Sequence, residues 1–367
     1  MTPADSQPIL RVRGLTTRFR TDRGIVTAID DVSFDLFPGQ TLGIVGESGC
    51  GKTVTSKSIM RLLPERTTII DPASQVIFEG NNLAAADDRS MRKIRGDRIA
   101  MIFQEPMTSL NPVFTVGWQI SEALKYHRPD LNRAARRARS IEMLRLVEIP
   151  EPDRRIDEYP HQLSGGMRQR VMIAIALCCE PDILIADEPT TALDVTVQAQ
   201  ILALMDALRK KFNTAIVIIT HNLGVVAQVC DRVMVMYAGR VIESGPVLDI
   251  FHNPRHPYTK ALLESIPKKG RAPAAPGVPR RLPTIEGIVP SLFDLPKGCR
   301  FQDRCRFKQQ LCIDREPTLD PVAPGAPVAR SSGGPALGRP NLGLPVLDIL
   351  PAREVRCHFP LSQAAAP

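Results

Sequence analysis

Short apolar runs alternate with helical patterns along the first two thirds of the chain. The runs at residues 183–186 and 215–220 are short, apolar and bounded by polar residues, which is typical of buried parallel strands. The predicted strands are residues 9–12, 26–36, 41–45, 98–103, 183–186 and 215–220, and the predicted helices are residues 52–63, 116–126 and 133–147. Because strands and helices alternate, the pattern predicts an α/β fold with a mostly parallel central sheet.

The pattern changes after about residue 255. Residues 267–351 contain 15 of the 33 prolines, and helical periodicity is lost there. Residues 323–343 are rich in Pro, Gly, Ala and Ser, which predicts a flexible loop at about residues 321–345. We therefore predict one large domain over residues 1–255 and a small tail domain over residues 256–367. The tail has few large apolar residues, so its stability requires docking or a metal.

Composition places the chain among soluble proteins. Apolar residues make up 43% and charged residues 23%, and no apolar run approaches the roughly 18 residues of a membrane span. The N-terminus lacks the pattern of a secretory signal, so we predict a cytoplasmic chain. The formal charge of +8 equals the surplus of residues 252–315, which carry 13 Lys and Arg against 5 Asp and Glu. Such a segment is either a solvated basic surface or a contact for lipid headgroups, nucleic acid or an anionic cofactor.

Residues 46–53 follow the phosphate-loop pattern of a Gly, four residues and then Gly-Lys-Thr. The motif follows an apolar strand and opens a helix, where backbone N–H groups can surround phosphates. We expect Lys52 to reach the β- and γ-phosphates of ATP and the Thr53 hydroxyl to bind Mg²⁺. The predicted nucleotide contacts of this loop are Gly46, Ser48, Gly49, Cys50, Gly51, Lys52 and Thr53.

Cys50 lies near a helix N-terminus and a lysine, a setting that lowers the pKa of a thiol. We therefore expect Cys50 to react with maleimide and ATP to protect it. The alternative interpretation is that Cys50 is simply a small residue that the loop tolerates at this position.

Asp187 and Glu188 follow the apolar strand at residues 183–186. Ligands of α/β sheets bind at the carboxyl ends of the strands, so this pair belongs beside the phosphate loop. Asp187 is expected to hold Mg²⁺, and Glu188 is placed to polarise the attacking water as a general base.

Ser164, Gly165 and Gly166 begin an apolar helix and form a second anion site within one chain. Because the phosphate loop already surrounds one nucleotide, the second site can serve the ATP of another subunit. The Leu-Ser-Gly-Gly stretch at residues 163–166 is similar to the signature motif of ATP-binding cassette (ABC) proteins.

The resemblance to ABC proteins covers residues 9–250 and implies further site residues. Gln104 looks like the glutamine that senses Mg²⁺ and the γ-phosphate and faces the membrane subunits. Asp194, in Ala192-Leu193-Asp194, resembles the loop that crosses the dimer interface, and His221 resembles the histidine that contacts the γ-phosphate. Phe19 occupies the place of the aromatic ring that stacks on adenine. The implied fold is a RecA-like core with a β-subdomain and a helical subdomain, and the implied activity is ATP hydrolysis.

A narrower resemblance covers nearly the whole chain, through residues 104–112, residues 256–259, and the tail from residues 298–301 through Cys305 and Cys312 to Cys357 and His358. These stretches look like the ATPase subunits of dipeptide, oligopeptide and nickel importers. The resemblance implies a second and distinct ATPase subunit, two transmembrane permease subunits and an external solute-binding protein. It places the chain at the cytoplasmic face of the inner membrane as a peripheral protein, without a nucleic-acid partner.

The chain has eight cysteines and no signal peptide, which argues against a disulfide framework. Four are in the tail: Cys299, Cys305, Cys312 and Cys357. Four thiolates suit a [4Fe–4S] cluster, which some relatives hold there, or a structural zinc ion. Unligated thiols are the third alternative. The 44 residues between Cys312 and Cys357 make that interval longer than is usual in the family.

Two alternatives from other classes remain. One is a cassette ATPase associated with nucleic acid or the ribosome, which the basic segment favours. Only one set of motifs is present, and residues 54–162 show no sustained heptads, which argues against it. The other is a non-catalytic regulatory cassette, which the intact Glu188 and His221 oppose.

Overall fold

The structure is a computed structural model that describes residues 7–104, 109–191, 193–266, 284–322 and 353–361. The strands are β1 (Leu10–Thr21), β2 (Gly24–Leu36), β3 (Thr41–Val45), β4 (Thr68–Ile70), β5 (Gln75–Phe78), β6 (Asn81–Asn82), β7 (Ile99–Ile102), β8 (Ile183–Asp187), β9 (Ala215–Ile219), β10 (Arg232–Tyr237), β11 (Arg240–Pro246), β12 (Asp320–Pro321) and β13 (Glu354–Val355). The α-helices are α1 (Lys52–Ile59), α2 (Asp88–Ile94), α3 (Val116–His127), α4 (Arg133–Leu146), α5 (Pro152–Arg155), α6 (Gly165–Leu177), α7 (Val195–Phe212), α8 (Leu223–Val229), α9 (Val247–His252), α10 (Pro257–Glu264) and α11 (Gln310–Asp314). Short 3₁₀ turns occupy Leu83–Ala85, Pro160–Gln162 and Gln302–Arg304.

The central sheet has the strand order β12-β13-β11-β10-β3-β9-β8-β7. Strands β10, β3, β9, β8 and β7 are parallel, whereas β11, β13 and β12 extend the sheet in antiparallel fashion. Every residue of β3, β8, β9 and β10 is buried, because helices and the second sheet cover both faces. The predicted α/β fold with a mostly parallel central sheet is confirmed.

A second, antiparallel sheet is built on the long β1–β2 hairpin, with β4, β5 and β6 beside β1. Its inner side packs on the central sheet in a core that includes Leu10, Ile29, Ile185 and Val217. The prediction of residues 9–12 as a strand was too short, because Arg and Thr interrupt the alternation in β1. Backbone irregularities between Val12 and Arg18 interrupt the pairing as well.

A helical layer lies beside the central sheet. Helices α3, α4 and α6 pack on one another, and their apolar side chains join a second core. Thr115, Asn132 and Ser164 cap the three N-termini with side-chain oxygens. Helix α1 ends at Ile59, earlier than the predicted residue 63, because Arg61 takes a left-handed φ of 48°.

The tail completes the central sheet. Strand β13 pairs with β11 through Val355 and Glu354, and β12 pairs with the other edge of β13. Arg353 Nη2 donates to the fully buried carboxylate of Glu243 at 2.5 Å. Within the basic segment of residues 252–315, the mostly buried Arg300 pairs with Asp30, so part of that basic surplus is internal.

Several expectations fall outside the described residues. They are the flexible loop at residues 323–343, Ala192 of the dimer-interface motif, and residues 105–108 of the importer motif. The division at residue 255 stays a prediction. Among the described residues, no helix combines the length and apolar character needed to cross a bilayer.

Candidate nucleotide site

The loop between β3 and α1 has a backbone that requires glycine. Gly46, Gly49 and Gly51 have φ values of 155°, 77° and 102°. A Cβ at Gly46 would lie 2.3 Å from the Met236 carbonyl oxygen. Side chains are therefore excluded where the loop passes β10, and its N–H groups remain available to an anion.

Lys52 is buried beneath this loop. Its ammonium donates to the Gly46 and Glu47 carbonyl oxygens at 2.8 and 3.0 Å. The positive charge is thus held inside the loop, on the side where phosphates would bind.

Thr53 and Asp187 meet across the base of the site. Thr53 Oγ1 donates to Asp187 Oδ1 at 3.2 Å, which joins the start of α1 to the end of β8. Burial raises the pKa of Asp187, and the hydrogen bond from Thr53 opposes that rise. A hydroxyl and a carboxylate at this position fit the preference of Mg²⁺ for oxygen ligands.

Glu188 lies at the centre of a group of donors. His221 Nδ1 lies 3.1 Å from Oε1, and Gln104 Nε2 donates to Oε2 at 3.1 Å. Thr191 Oγ1 donates to Oε2 at 2.9 Å. Burial acts to raise the pKa of Glu188, but hydrogen bonds from His221 and Thr191 outweigh it and hold the pKa below its ordinary value. The carboxylate is therefore charged and oriented.

The backbone of Glu188 is itself unusual. Its φ is 49°, a left-handed conformation that a residue with a Cβ rarely adopts. The Glu188 N–H donates to the Ile219 carbonyl oxygen at 2.8 Å, which fixes this turn to β9. Such strain is typical of residues held for function.

A cleft of about 680 Å³ connects these groups. The predicted residues that line it are Phe19, Ser48, Gly49, Gly51, Lys52, Thr53, Gln104, Glu188 and His221. This volume is within the usual range for small-molecule sites. Phe19, on β1, lines the cleft together with Val26 and Ala28, and its stacking on adenine stays a prediction.

The signature residues lie apart from this cleft. Ser164 caps α6 by accepting from the Met167 N–H at 3.3 Å, and both Ser164 and Gly165 are exposed. Gly166 passes close to Val197, and Asp194 caps α7 through the Val197 N–H at 2.9 Å. The helix start is thus open to a second molecule, and its role toward a partner's ATP stays a prediction.

Cys50 does not fit the reactive thiol expected from its neighbours. The side chain is fully buried under the loop, where a Cβ at Gly46 would lie 2.7 Å from its sulfur. Burial raises the pKa of Cys50 and outweighs the effect of Lys52. The prediction of a lowered pKa for Cys50 was therefore wrong. Maleimide labelling of Cys50 that ATP protects against is no longer expected.

The four tail cysteines line one small cavity with His256 and Phe301. Burial raises the pKa of Cys299 to about 11 and that of Cys357 to about 12. In the part of the chain that the structure describes, however, no three His, Cys, Asp or Glu side chains are arranged to hold a metal ion. The four thiols line one cavity, but their sulfur atoms are not arranged to coordinate a common metal ion.

Sequence reasoning missed several residues of the site, among them Val26, Ala28 and Val54 of the cleft lining. Thr191 follows Glu188 by three residues, a spacing that a turn would have suggested. Leu292 lines the cleft from the tail, and the Tyr258 hydroxyl accepts from the Glu47 N–H at 3.0 Å. Neither of the latter two has a local sequence signal.

Solved structures resemble this fold. A dimeric ATP-binding cassette bound to ADP and Pi superposes with a TM-score of 0.58 at 28% identity, covering 65% of this chain and 98% of that chain. A cassette from Clostridium perfringens, part of an ABC transporter complex, gives a TM-score of 0.56 at 27% identity, covering 67% and 91%. Fold and cleft together define the class as an ATP-binding cassette ATPase.

The sequence matches the family described as "ABC transporter" over residues 29–191, and "Oligopeptide/dipeptide transporter, C-terminal region" over residues 242–312. It is 52% identical to a probable peptide ABC transporter ATP-binding protein of Sinorhizobium fredii, covering 86% of this chain and 92% of the relative. It is 50% identical to the dipeptide transport ATP-binding protein of Bacillus subtilis, covering 89% and 93%. The oligopeptide transport ATP-binding protein of Haemophilus influenzae is also 50% identical, covering 83% and 91%. The chain belongs to the ABC transporter family, in its branch of ATP-binding proteins for peptide transport.

Proposed function

We propose that this chain hydrolyses ATP to drive an ABC importer of di- or oligopeptides, or of a related solute such as nickel. The observation that carries the proposal is the set of donors around Glu188, which lies in the same cleft as Lys52 and Thr53. Relatives named for dipeptide and oligopeptide transport support the solute class.

Each residue has a distinct part in the proposed reaction. The water oxygen bonds to the γ-phosphorus as Glu188 accepts the proton, and the bond to the bridging oxygen of ADP breaks. His221 and Gln104 orient the Glu188 carboxylate, and Lys52 balances charge on the phosphates. Thr53, Asp187 and Gln104 would hold Mg²⁺, which would supply electrostatic stabilisation of the phosphate oxygens. The products are ADP and inorganic phosphate.

Assembly into a pair of ATPases completes the proposal. Ser164, Gly165 and Gly166 of one subunit would close on the ATP of the other, with Asp194 at the interface. The partner subunit is proposed to be a related but distinct ATPase. Two permease subunits and an external solute-binding protein complete the importer, and the chain works as a peripheral protein at the cytoplasmic face of the inner membrane. Phe103, Val113 and Trp118 are exposed apolar side chains, and we propose them as candidate contacts for the permeases.

The tail cysteines form a finer part of the proposal. Cys299, Cys305, Cys312 and Cys357 line a common cavity, which supports joint ligation of a [4Fe–4S] cluster, with zinc as the alternative. Their side chains must then turn to direct four sulfurs at the group.

Reconstitution tests the function. The chain is co-expressed with candidate permease subunits, placed in liposomes, and supplied with a candidate external binding protein and a set of di- and oligopeptides. We expect peptide-loaded binding protein to raise ATP hydrolysis. Stimulation by nickel alone would move the solute class, and stimulation by RNA or ribosomes alone would overturn the importer in favour of the nucleic-acid alternative.

A further inference from the structure

A tail residue reaches the phosphate loop. Arg304 Nη1 donates to both carboxylate oxygens of Glu47, at 3.0 and 3.2 Å, although 257 residues separate the two in sequence. Glu47 is the second residue of the phosphate loop. The tail therefore makes an ionic contact with the loop that surrounds the phosphates.

Three groups of Glu47, its N–H, its carbonyl oxygen and its carboxylate, each make a hydrogen bond to another residue. Its N–H donates to the Tyr258 hydroxyl at 3.0 Å, its carbonyl oxygen accepts from Lys52 at 3.0 Å, and its carboxylate accepts from Arg304. The two peptide units that flank Glu47 are thereby each held by a hydrogen bond. Since the N–H groups of this loop must point inward to bind an anion, fixing Glu47 limits the conformations that compete with binding.

Arg304 is rigidly placed for this contact. Only 5% of its side chain is exposed. Its Nε and Nη2 donate to the Glu286 and Ile285 carbonyl oxygens at 3.0 and 3.3 Å. The guanidinium also lies 5.7 Å from the Tyr237 ring centroid. A buried guanidinium with several partners loses little entropy on binding a carboxylate.

The same part of the tail also forms a wall of the cleft. Leu292 lines the same cleft as Phe19, Val26 and the phosphate-loop residues. The tail thus touches the nucleotide site at two positions that the ABC core alone does not supply.

We propose that Arg304 is a positioning residue of the ATP site, acting through Glu47 to preorganise the phosphate loop. The tail then sets the affinity of the core for nucleotide. This inference rests on the ATP site of the proposed function and not on the identity of the solute.

The test compares Arg304→Gln, Glu47→Gln, the double variant and Arg304→Lys in the full chain. Arg306→Gln is the matched control, because Arg306 is an exposed arginine two residues away. ATP dissociation constants are measured with a fluorescent analogue, and KM and kcat are measured by phosphate release. We expect each single change to Gln to raise the dissociation constant and KM about fivefold or more with little change in kcat.

The double variant separates positioning from general damage to the tail. If Arg304 acts through Glu47, the double change has no larger effect than either single change. Arg304→Lys should restore part of the affinity, because it keeps the charge without the second hydrogen bond.

Additive effects, a loss in kcat alone, or affinities within twofold of the unaltered chain would overturn the proposal. If Arg304→Gln fails to fold, the ATP dissociation constant and KM of Glu47→Gln test the proposal instead. Absence of ATP turnover by the unaltered chain would instead count against the proposed function.

Discussion

The carboxylate of Glu188 shows how single side chains define the cleft. Three donors from different segments meet it, on Gln104, Thr191 and His221. Its charge is thus maintained close to the phosphates, where a proton acceptor is required. The arrangement assigns a different part to each residue, so substitutions should separate binding from hydrolysis.

We expect Glu188→Gln to abolish turnover and leave ATP bound, because the water loses its base while Lys52 still contacts the phosphates. The loss in kcat should be about 10²–10⁴-fold. Phosphate release gives the rate, and gel filtration with ATP detects the trapped dimer. Glu65→Gln, at a side chain that is 82% exposed, is the control. Hydrolysis near the unaltered rate would remove Glu188 from this role.

His256 provides a pH test. It is buried and accepts from the Tyr258 N–H at 3.0 Å through Nδ1. Burial lowers the pKa of His256 to about 3. As pH falls below its ordinary value of about 6.5, the unfolded chain binds a proton that the folded chain rejects, so stability falls.

Between pH 7.5 and 5.0 this histidine should cost about 2 kcal/mol of stability. His256→Asn keeps a side-chain cap for α10 and should make the melting temperature less sensitive to pH. His161→Asn, at an exposed histidine, should leave the pH dependence of the unaltered chain intact. Equal slopes in all three proteins would exclude His256 as the source.

At the scale of elements, the phosphate loop depends on space as well as on backbone conformation. Gly46 and Gly49 both have positive φ, but only Gly46 lies against a neighbour, the Met236 carbonyl oxygen of β10. A Cβ at Gly49 would meet no atom within 4 Å. Substitution at Gly46 therefore tests crowding together with backbone strain, whereas substitution at Gly49 tests backbone strain alone.

Gly46→Ala should lower the melting temperature and abolish ATP binding, because β10 or the loop must move. We expect a cost of about 1–3 kcal/mol beyond the strain term. Gly49→Ala should cost about 1–2 kcal/mol of strain alone. Scanning fluorimetry and nucleotide titration measure both, and equal losses would show that crowding at β10 is unimportant.

The sequence predicted those parts of the site that lie within one element or its end. The loop around Lys52, the acidic end of β8 and the position of His221 after β9 all have local patterns. Contacts from distant segments could not be predicted, because no periodicity links Leu292 or Arg304 to residues near position 50. The prediction of a lowered pKa for Cys50 failed for a related reason. It was based on local neighbours in the sequence, whereas the burial of Cys50 comes from packing of the whole loop.

At the scale of the whole molecule, the tail is where a metal would change stability. The cavity lined by Cys299, Cys305, Cys312 and Cys357 is small, and burial raises the pKa of Cys299 to about 11 and that of Cys357 to about 12. Metal ligation would replace the protons of the four thiols. It would also link Cys357 to the three cysteines that precede residues 323–352.

If the four cysteines ligate the proposed [4Fe–4S] cluster, anaerobically purified chain should be brown, absorb near ~400 nm and contain about four irons. Changing any one of the four cysteines to Ser should remove the colour and expose the tail to protease, while nucleotide still binds. Cys230→Ser, at a buried cysteine in the core, is the control. Colourless protein with one zinc would favour the alternative, and four freely titratable thiols without metal would contradict both.

The pairing of Arg353 with Glu243 has a consequence for biosynthesis. Glu243 is fully buried, and its cationic partner lies 110 residues later in the chain. At about 5–20 residues per second, a ribosome needs on the order of ten seconds to add that interval. Until then a nascent cassette holds a carboxylate whose burial lacks its cation, and β11 lacks β13 at its edge. The pairing of β11 with β13 therefore cannot form until residues 353–355 have been made.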